Sequence, residues 1–95
     1  MLVVVIGSKG FIGSHLVKKL KKVSKVLILE IFRKNNEKID FVFFSEQISK
    51  ANVVLFCAEN PNRGKVNLLG KDYQSEAINN IKTVLSFSKG QFIYL

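Results

Sequence analysis

Short blocks of consecutive apolar residues recur along this chain, and the stretches between them carry apolar residues at helical spacing. β-Branched and aliphatic residues dominate the apolar blocks, which is typical of strands covered on both faces of a parallel sheet. We predict about five strands, at residues 2–6, 26–30, 39–44, 52–58 and 91–95. Parallel strands need crossover connections, and the stretches between the blocks supply helices for them.

Three helices are predicted between these strands. The first is amphipathic and starts just after a glycine-rich turn; its apolar face consists of Phe11, Ile12, Leu16 and Leu20. A short helix covers 45–51, with the Ser45 hydroxyl as its cap, and a longer one covers 73–89, from an Asp72 cap to a stop at Gly90. The alternation predicts one α/β domain over residues 1–95: a three-layer, Rossmann-like, doubly wound parallel sheet of order 3-2-1-4-5.

The turn between the first strand and the first helix contains Gly7, Gly10 and Gly13. Gly7 permits a tight exit from the strand, Gly10 lets a bulky anion approach the backbone, and Gly13 lets the helix lie close to the sheet. Ser8 stands where the commoner G-x-G-x-x-G spacing has a glycine. Because the N–H groups of a first helical turn favour negative charge, we predict a pyrophosphate site here; a purely structural turn is the alternative.

Residues 4–16, VVIGSKGFIGSHL, resemble the amino-terminal fingerprint of the extended short-chain dehydrogenases/reductases, the NAD-dependent nucleotide-sugar epimerase and dehydratase family. The resemblance implies a Rossmann fold that binds NAD(P). The implied residues at the pyrophosphate are Gly7, Ser8, Gly10, Phe11, Ile12 and Gly13. Family members are much longer, so the resemblance covers only their front part, and we expect a domain that is incomplete relative to the family.

The ends of the second and fourth strands supply the other cofactor contacts that we expect. Glu30 lies where dinucleotide-binding folds place a carboxylate that accepts hydrogen bonds from the adenosine ribose, which favours NAD. Arg33 follows closely and can hold the 2′-phosphate of NADP, so both cofactors stay open. By the resemblance, Cys57 and Ala58 pass beside the nicotinamide end, although a small buried core residue is the simpler interpretation of Cys57.

Catalytic residues are not found in this chain. The family transfers hydride with a Tyr-x-x-x-Lys pair, in which the lysine lowers the pKa of the tyrosine. Neither Tyr73 nor Tyr94 is followed by a lysine four residues later. His15 is the sole histidine, so a histidine-based metal site or catalytic triad has no support.

Composition narrows the class of protein further. The chain is 47% hydrophobic and 23% charged, which is typical of a globular domain, and its formal net charge is +8. Lysines spread along the chain indicate a solvated basic surface rather than a nucleic-acid site, although such a surface attracts anionic nucleotides. A single cysteine excludes an internal disulfide, and neither a signal peptide nor a membrane span is visible. We therefore expect a cytoplasmic protein.

The function we predict is that of the cofactor-binding part of a nucleotide-sugar epimerase, dehydratase or reductase, with a dinucleotide and a nucleotide sugar as ligands. A free-standing, non-catalytic nucleotide-binding or sensor module is the main alternative, and a basic nucleic-acid-binding or interaction protein is the third. The last strand, at residues 91–95, is expected to leave an apolar edge, through which two copies could pair as a homodimer.

Overall fold

The computed structural model of the chain describes residues 1–34, 38–57 and 78–95. In this part of the chain, four strands form a single parallel sheet. The strands are β1 (Leu2–Ile6), β2 (Leu27–Ile31), β3 (Val53–Phe56) and β4 (Gln91–Tyr94). The helices are α1 (Phe11–Leu20), α2 (Ser45–Lys50) and the helical residues 78–87, called α3 here. The predicted α/β class is confirmed.

Strand β1 lies inside the sheet, paired with β2 on one side and β3 on the other, and the strand order is β2-β1-β3-β4. Leu2 is in register with Leu27 of β2, and Val3 is in register with Val53 of β3. Residues 3–6 are all buried. A strand with neighbours on both edges and helices on both faces has no solvated side, which explains its unbroken apolar run.

Helices cover both faces of this sheet. On one face, Val3 and Val5 pack with Val17 of α1. On the other face, the core contains residues of β1, β3, α2 and α3; its fully buried members include Val4, Ile6, Ile48, Val54 and Val84. The domain therefore has three layers, with α1 alone on one side in the described residues and α2 and α3 on the other.

The prediction of a third strand at residues 39–44 is wrong, and the strand order 3-2-1-4-5 is therefore not confirmed. Residues 41–44 form turns, while the other four strands follow the order 2-1-4-5 of the prediction. Asp40 explains the difference. Its Oδ1 accepts hydrogen bonds from the backbone N–H groups of Val42 (3.1 Å) and Phe43 (3.4 Å), which turns the chain where a strand would continue.

The side chains of this segment confirm that it does not alternate between two faces. Phe41 is buried, with its ring centroid 6.2 Å from that of Phe56, whereas Phe43 is 73% exposed. Ser45 is the first residue of α2 and not its cap, because the N-cap position is Phe44 and no side chain of the described residues caps it. The predicted Ser45 cap is therefore wrong.

The structure also differs in detail from the predicted helix face and from the predicted strand bounds. Phe11 was expected on the buried face of the first helix, but it is 77% exposed, and the buried residues of α1 are Gly13 and Val17. The second strand runs one residue later than predicted, and the strand that follows α2 is shorter, at Val53–Phe56. The start of the last predicted helix, with its Asp72 cap, lies outside the described residues.

Gly90 follows α3, where a helix stop was predicted, and packing accounts for the glycine. A Cβ at this position would overlap the carbonyl oxygen of Asn52 and lie 2.5 Å from that of Ala51. The close approach lets β4 enter the sheet beside β3.

None of the helices in the described ranges combines the length and hydrophobicity needed to span a bilayer.

Candidate functional site

The turn that joins β1 to α1 depends on the conformation of Gly7. Its φ is 83°, in the left-handed region that residues with a side chain rarely adopt. The Gly7 N–H donates a hydrogen bond to the carbonyl of Ile31 (2.7 Å), and the Gly7 carbonyl accepts one from the Gly10 N–H (3.1 Å). The chain therefore leaves the carboxyl end of β1 in a tight turn, as predicted.

The other two glycines of the turn differ in what requires them. A Cβ on Gly13 would overlap the Gly7 carbonyl oxygen and would lie 3.0 Å from the Cα of Ser8, so only glycine fits. A Cβ on Gly10 would lie 3.4 Å from the Gly7 carbonyl oxygen, which is an ordinary contact. Gly10 also has an extended backbone, with φ −74° and ψ 174°. Neither packing nor conformation within the described chain requires a glycine at position 10.

The amino terminus of α1 opens at this turn. Gly10 is its N-cap residue, and no side chain in the described part of the chain caps the helix. The first turn of α1 contains no acidic residue. The first intrahelical hydrogen bond is donated by the Ser14 N–H to the Gly10 carbonyl (2.9 Å), and the preceding N–H groups have no acceptor within the helix. The positive end of the helix dipole therefore faces outward beside the glycine turn.

A pocket of about 230 Å³ lies next to this turn, between α1 and β2. It is lined by Ser8, Lys9, Ser14, Val17, Lys18, Lys21 and Glu30. Ser8 is 1% exposed, and its Oγ has no hydrogen-bond partner among the described residues. Buried hydroxyl groups are usually paired, so an unpaired one on a pocket wall is a candidate ligand contact.

Charge in this pocket is mostly positive, because three lysines and one glutamate line it. Glu30 is in register with Val5, whose side chain packs on the α1 face, and the Lys21 Nζ lies 4.0 Å from the Glu30 Oε2. The Lys9 Nζ lies 5.0 Å from the ring centroid of Phe32, just beyond β2. The glycine turn and the end of β2 thus share one basic surface.

The structure brings several of the predicted cofactor residues together at this place. Gly7, Ser8, Gly10 and Gly13 form the turn, and Glu30 lines the adjoining pocket. The exposed Phe11 ring instead packs edge-on against that of His15, with centroids 4.8 Å apart. The Phe11 side chain does not line the pocket.

The remaining predicted residues lie apart from the pocket walls. Ile12 packs with the core cluster on the α1 face, and Arg33 is exposed just after β2. Cys57 is 2% exposed, and its N–H donates to the Ile6 carbonyl (2.8 Å), so it lies beside the end of β1 within the core. Ala58 lies outside the described residues.

Sequence reasoning did not identify the lysines of the pocket. From the sequence, Lys18 and Lys21 count only among the lysines of a solvated basic surface, yet with Ser14 and Val17 they form one helical face at spacing i, i+3, i+4 and i+7. That spacing in the sequence could have indicated that these lysines share a surface.

Within the described ranges, no cluster of three or more His, Cys, Asp or Glu side chains could hold a metal ion.

The fold is similar to that of a larger protein, the capsular polysaccharide assembling protein CapF from Staphylococcus aureus. The structural match has a TM-score of 0.50 and 16% sequence identity. It covers 99% of this chain and 29% of CapF, so the chain spans less than a third of that protein's length. At this identity the likeness shows the fold alone. No protein-family model matches the sequence, and no curated protein matches it.

Proposed function

We propose that this chain binds a dinucleotide, NAD or NADP, with its pyrophosphate at the turn between β1 and α1. The observation that carries the proposal is the glycine at position 10. The conformation of Gly7 and the packing of Gly13 explain those two glycines, but neither reason applies to Gly10. A bare backbone beside an uncapped helix terminus is what close approach of a phosphate requires.

We assign the adenosine end of the same ligand to the pocket between α1 and β2. Glu30 is half-buried and lines the pocket beside Ser8, at the position where such folds hold the ribose hydroxyls. A carboxylate accepts hydrogen bonds from two neighbouring hydroxyls, and the Ser8 Oγ adds a donor. The turn and the pocket adjoin through Ser8, which suits a ligand with linked pyrophosphate and ribose groups.

The fingerprint at residues 4–16 supports a place in a nucleotide-sugar epimerase, dehydratase or reductase of the extended short-chain dehydrogenase type. NAD(P), when bound, supplies the hydride acceptor or donor for such reactions. The residues of this chain would bind and orient the cofactor, and we assign none of them a catalytic role. A nucleotide sugar as substrate and pairing of two copies through β4 stay predictions. In the sheet that the described residues form, β4 occupies an edge.

Titration calorimetry of the chain with NAD+ and NADP+ tests this proposal. We expect saturable binding of at least one dinucleotide, and we expect Gly10→Val to weaken it by about tenfold or more, because an added side chain displaces the phosphate. Gly10→Ala, a smaller change, should have a smaller effect. Circular dichroism and denaturant unfolding of each variant would establish that it is folded.

A folded wild-type chain that binds neither dinucleotide would refute the proposal. Equal affinity of the wild type and Gly10→Val would refute the assigned position of the pyrophosphate. In that case Gly10 would be a neutral surface residue and the turn would serve only to connect β1 with α1.

A further inference from the structure

We infer that the surface at the amino ends of the strands docks onto a membrane that contains anionic phospholipids. The inference is separate from the proposed function and concerns the opposite edge of the sheet. Because the four described strands are parallel, their amino ends and the connections that lead into them meet at one edge. We call this surface the basic edge; its residues, all exposed, are the lysines Lys22, Lys25 and Lys89 and the apolar Met1, Val23 and Leu27.

Backbone hydrogen bonds join the turn after α1 to the start of the sheet. The Met1 nitrogen donates to the Lys25 carbonyl (3.1 Å), and the Met1 carbonyl accepts from the Leu27 N–H (2.8 Å). The Val23 N–H donates to the Leu20 carbonyl (3.0 Å), which holds the turn against the end of the helix. Lysines and apolar residues that the sequence separates therefore share one surface.

The basic edge carries positive charge with little acidic charge to offset it. Residues 1–29 contain six lysines and no acidic residue. Glu30 lies near the carboxyl end of β2, and the Asp40 carboxylate accepts hydrogen bonds from the turn that follows it. Glu46 forms an ion pair with Lys50 (2.8 Å). These are the acidic residues that the structure describes, so in this part of the chain the basic edge keeps a positive excess, which attracts an anionic surface.

Lys25 has a backbone conformation that does not favour lysine. Its φ is 69°, in the left-handed region where glycine and asparagine are much commoner, and no other described residue except glycine has a positive φ. The hydrogen bond that its carbonyl accepts from Met1 needs no particular side chain. Neither conformation nor that bond explains a lysine at this position, whereas an exposed positive charge does if the edge meets an anionic surface.

Exposed aliphatic side chains favour a lipid surface over a nucleic acid as the partner. Met1, Val23 and Leu27 are 66%, 52% and 71% exposed. Such side chains insert at the boundary between headgroups and acyl chains, while neighbouring lysines contact the anionic headgroups. Nucleic-acid surfaces instead combine basic residues with stacking aromatic rings and arginines, and no residue of the basic edge is an arginine or an aromatic.

The geometry keeps the candidate dinucleotide site away from such a membrane. The glycine turn follows the carboxyl end of β1, and Met1 precedes its amino end. The five residues of β1 span about 16 Å, which separates the basic edge from the turn. Docking through the basic edge would therefore leave the turn and the adjoining pocket open to a ligand.

Flotation with unilamellar vesicles tests the inference on the whole chain, without nucleotide and at low and moderate salt. One set of vesicles contains phosphatidylcholine alone, and the other contains phosphatidylcholine with phosphatidylglycerol. The charge variant combines Lys22→Gln with Lys25→Gln. The matched control combines Lys34→Gln with Lys82→Gln, which removes the same charge from two exposed lysines outside the basic edge. Circular dichroism and denaturant unfolding would establish that each variant is folded.

We expect the wild type to float with the anionic vesicles and not with phosphatidylcholine alone, and we expect this binding to weaken as salt rises. The charge variant should bind the anionic vesicles at least about tenfold more weakly, because each lysine near such a surface contributes about fivefold. The control variant should keep nearly all of the wild-type affinity.

A tryptophan reporter tests whether the apolar residues enter the bilayer. The chain contains no tryptophan, so Leu27→Trp introduces a single emitter at the basic edge. Phe43→Trp places the emitter at another exposed position, outside the basic edge. With anionic vesicles, we expect the emission of Leu27→Trp to shift to shorter wavelength, because its indole leaves water, and the emission of Phe43→Trp to stay unchanged.

Absence of binding to the anionic vesicles would overturn the inference, as would an equal loss of binding in the charge and control variants. An emission shift for Phe43→Trp without one for Leu27→Trp would place the contact elsewhere and overturn it too. Anisotropy of a fluorescent DNA duplex tests the other polyanion: DNA binding that persists at a salt concentration where vesicle binding is lost would assign the basic edge to a nucleic acid. Each of these results leaves the proposed dinucleotide site standing.

Discussion

Gly13 of α1 lies directly against the carbonyl group of Gly7, at the end of β1. A Cβ on Gly13 would overlap the Gly7 carbonyl oxygen and would lie 2.9 Å from its carbonyl carbon. The contact brings the first turn of α1 onto the strand exit, and it sets where the helix terminus opens relative to the sheet. The geometry of the candidate site therefore depends on two residues that have no side chain.

Gly13→Ala is expected to lower the free energy of unfolding by about 1–3 kcal/mol, because the added methyl group forces the backbone of the turn to move. Gly10→Ala is the matched control, since its Cβ makes only an ordinary contact. We expect that change to be neutral or stabilising by about 0.5 kcal/mol through the unfolded chain. Denaturant unfolding measures both, and similar values for the two variants would contradict the described packing.

Ser8→Ala is expected to raise the free energy of unfolding of the unliganded chain by about 1 kcal/mol, because it removes a buried hydroxyl that has no partner in the described residues. The same change should weaken binding of the dinucleotide in calorimetry. Ser14→Ala serves as the control: the Ser14 Oγ donates to the Phe11 carbonyl (3.1 Å), so its removal should give no such gain. A loss of stability in Ser8→Ala would show that its hydroxyl is paired.

Phe41→Ala is expected to cost about 3 kcal/mol or more of the free energy of unfolding, because Phe41 is buried against Phe56. Phe43→Ala should cost no more than about 0.5 kcal/mol, because the Phe43 ring is exposed. In a strand these two residues would share a face, and their substitution would have similar effects. Should Phe41→Ala fail to fold, Phe41→Leu provides a milder comparison by chemical denaturation.

The segment at residues 39–44 shows why a prediction from the sequence fails in one place and succeeds elsewhere. Its run of apolar residues suggested a buried strand, but the residues that face the core recur at helical spacing: Phe41, Phe44, Ile48 and Ala51. Asp40, whose carboxylate accepts two backbone N–H groups, was the local sign of a turn. Periodicity over a longer window, together with that acid, would have avoided the error.

The glycine turn was predictable because its requirements are local. A left-handed residue at Gly7 and the start of a helix a few residues later follow from the strand, glycine and amphipathic patterns alone. The pocket was not predictable from the sequence, because its position depends on which face of α1 lies toward β2. That orientation follows from the packing of Val17 against Val3 and Val5, and it decides that Lys18 and Lys21 lie near Glu30.

The sheet order has a consequence for how this chain is made. Strand β1 precedes both of its partners in the chain, and β3 precedes β4, so each ladder forms only after a later segment has been synthesised. Such non-local pairing slows folding and leaves apolar strands unpaired while the chain emerges from the ribosome.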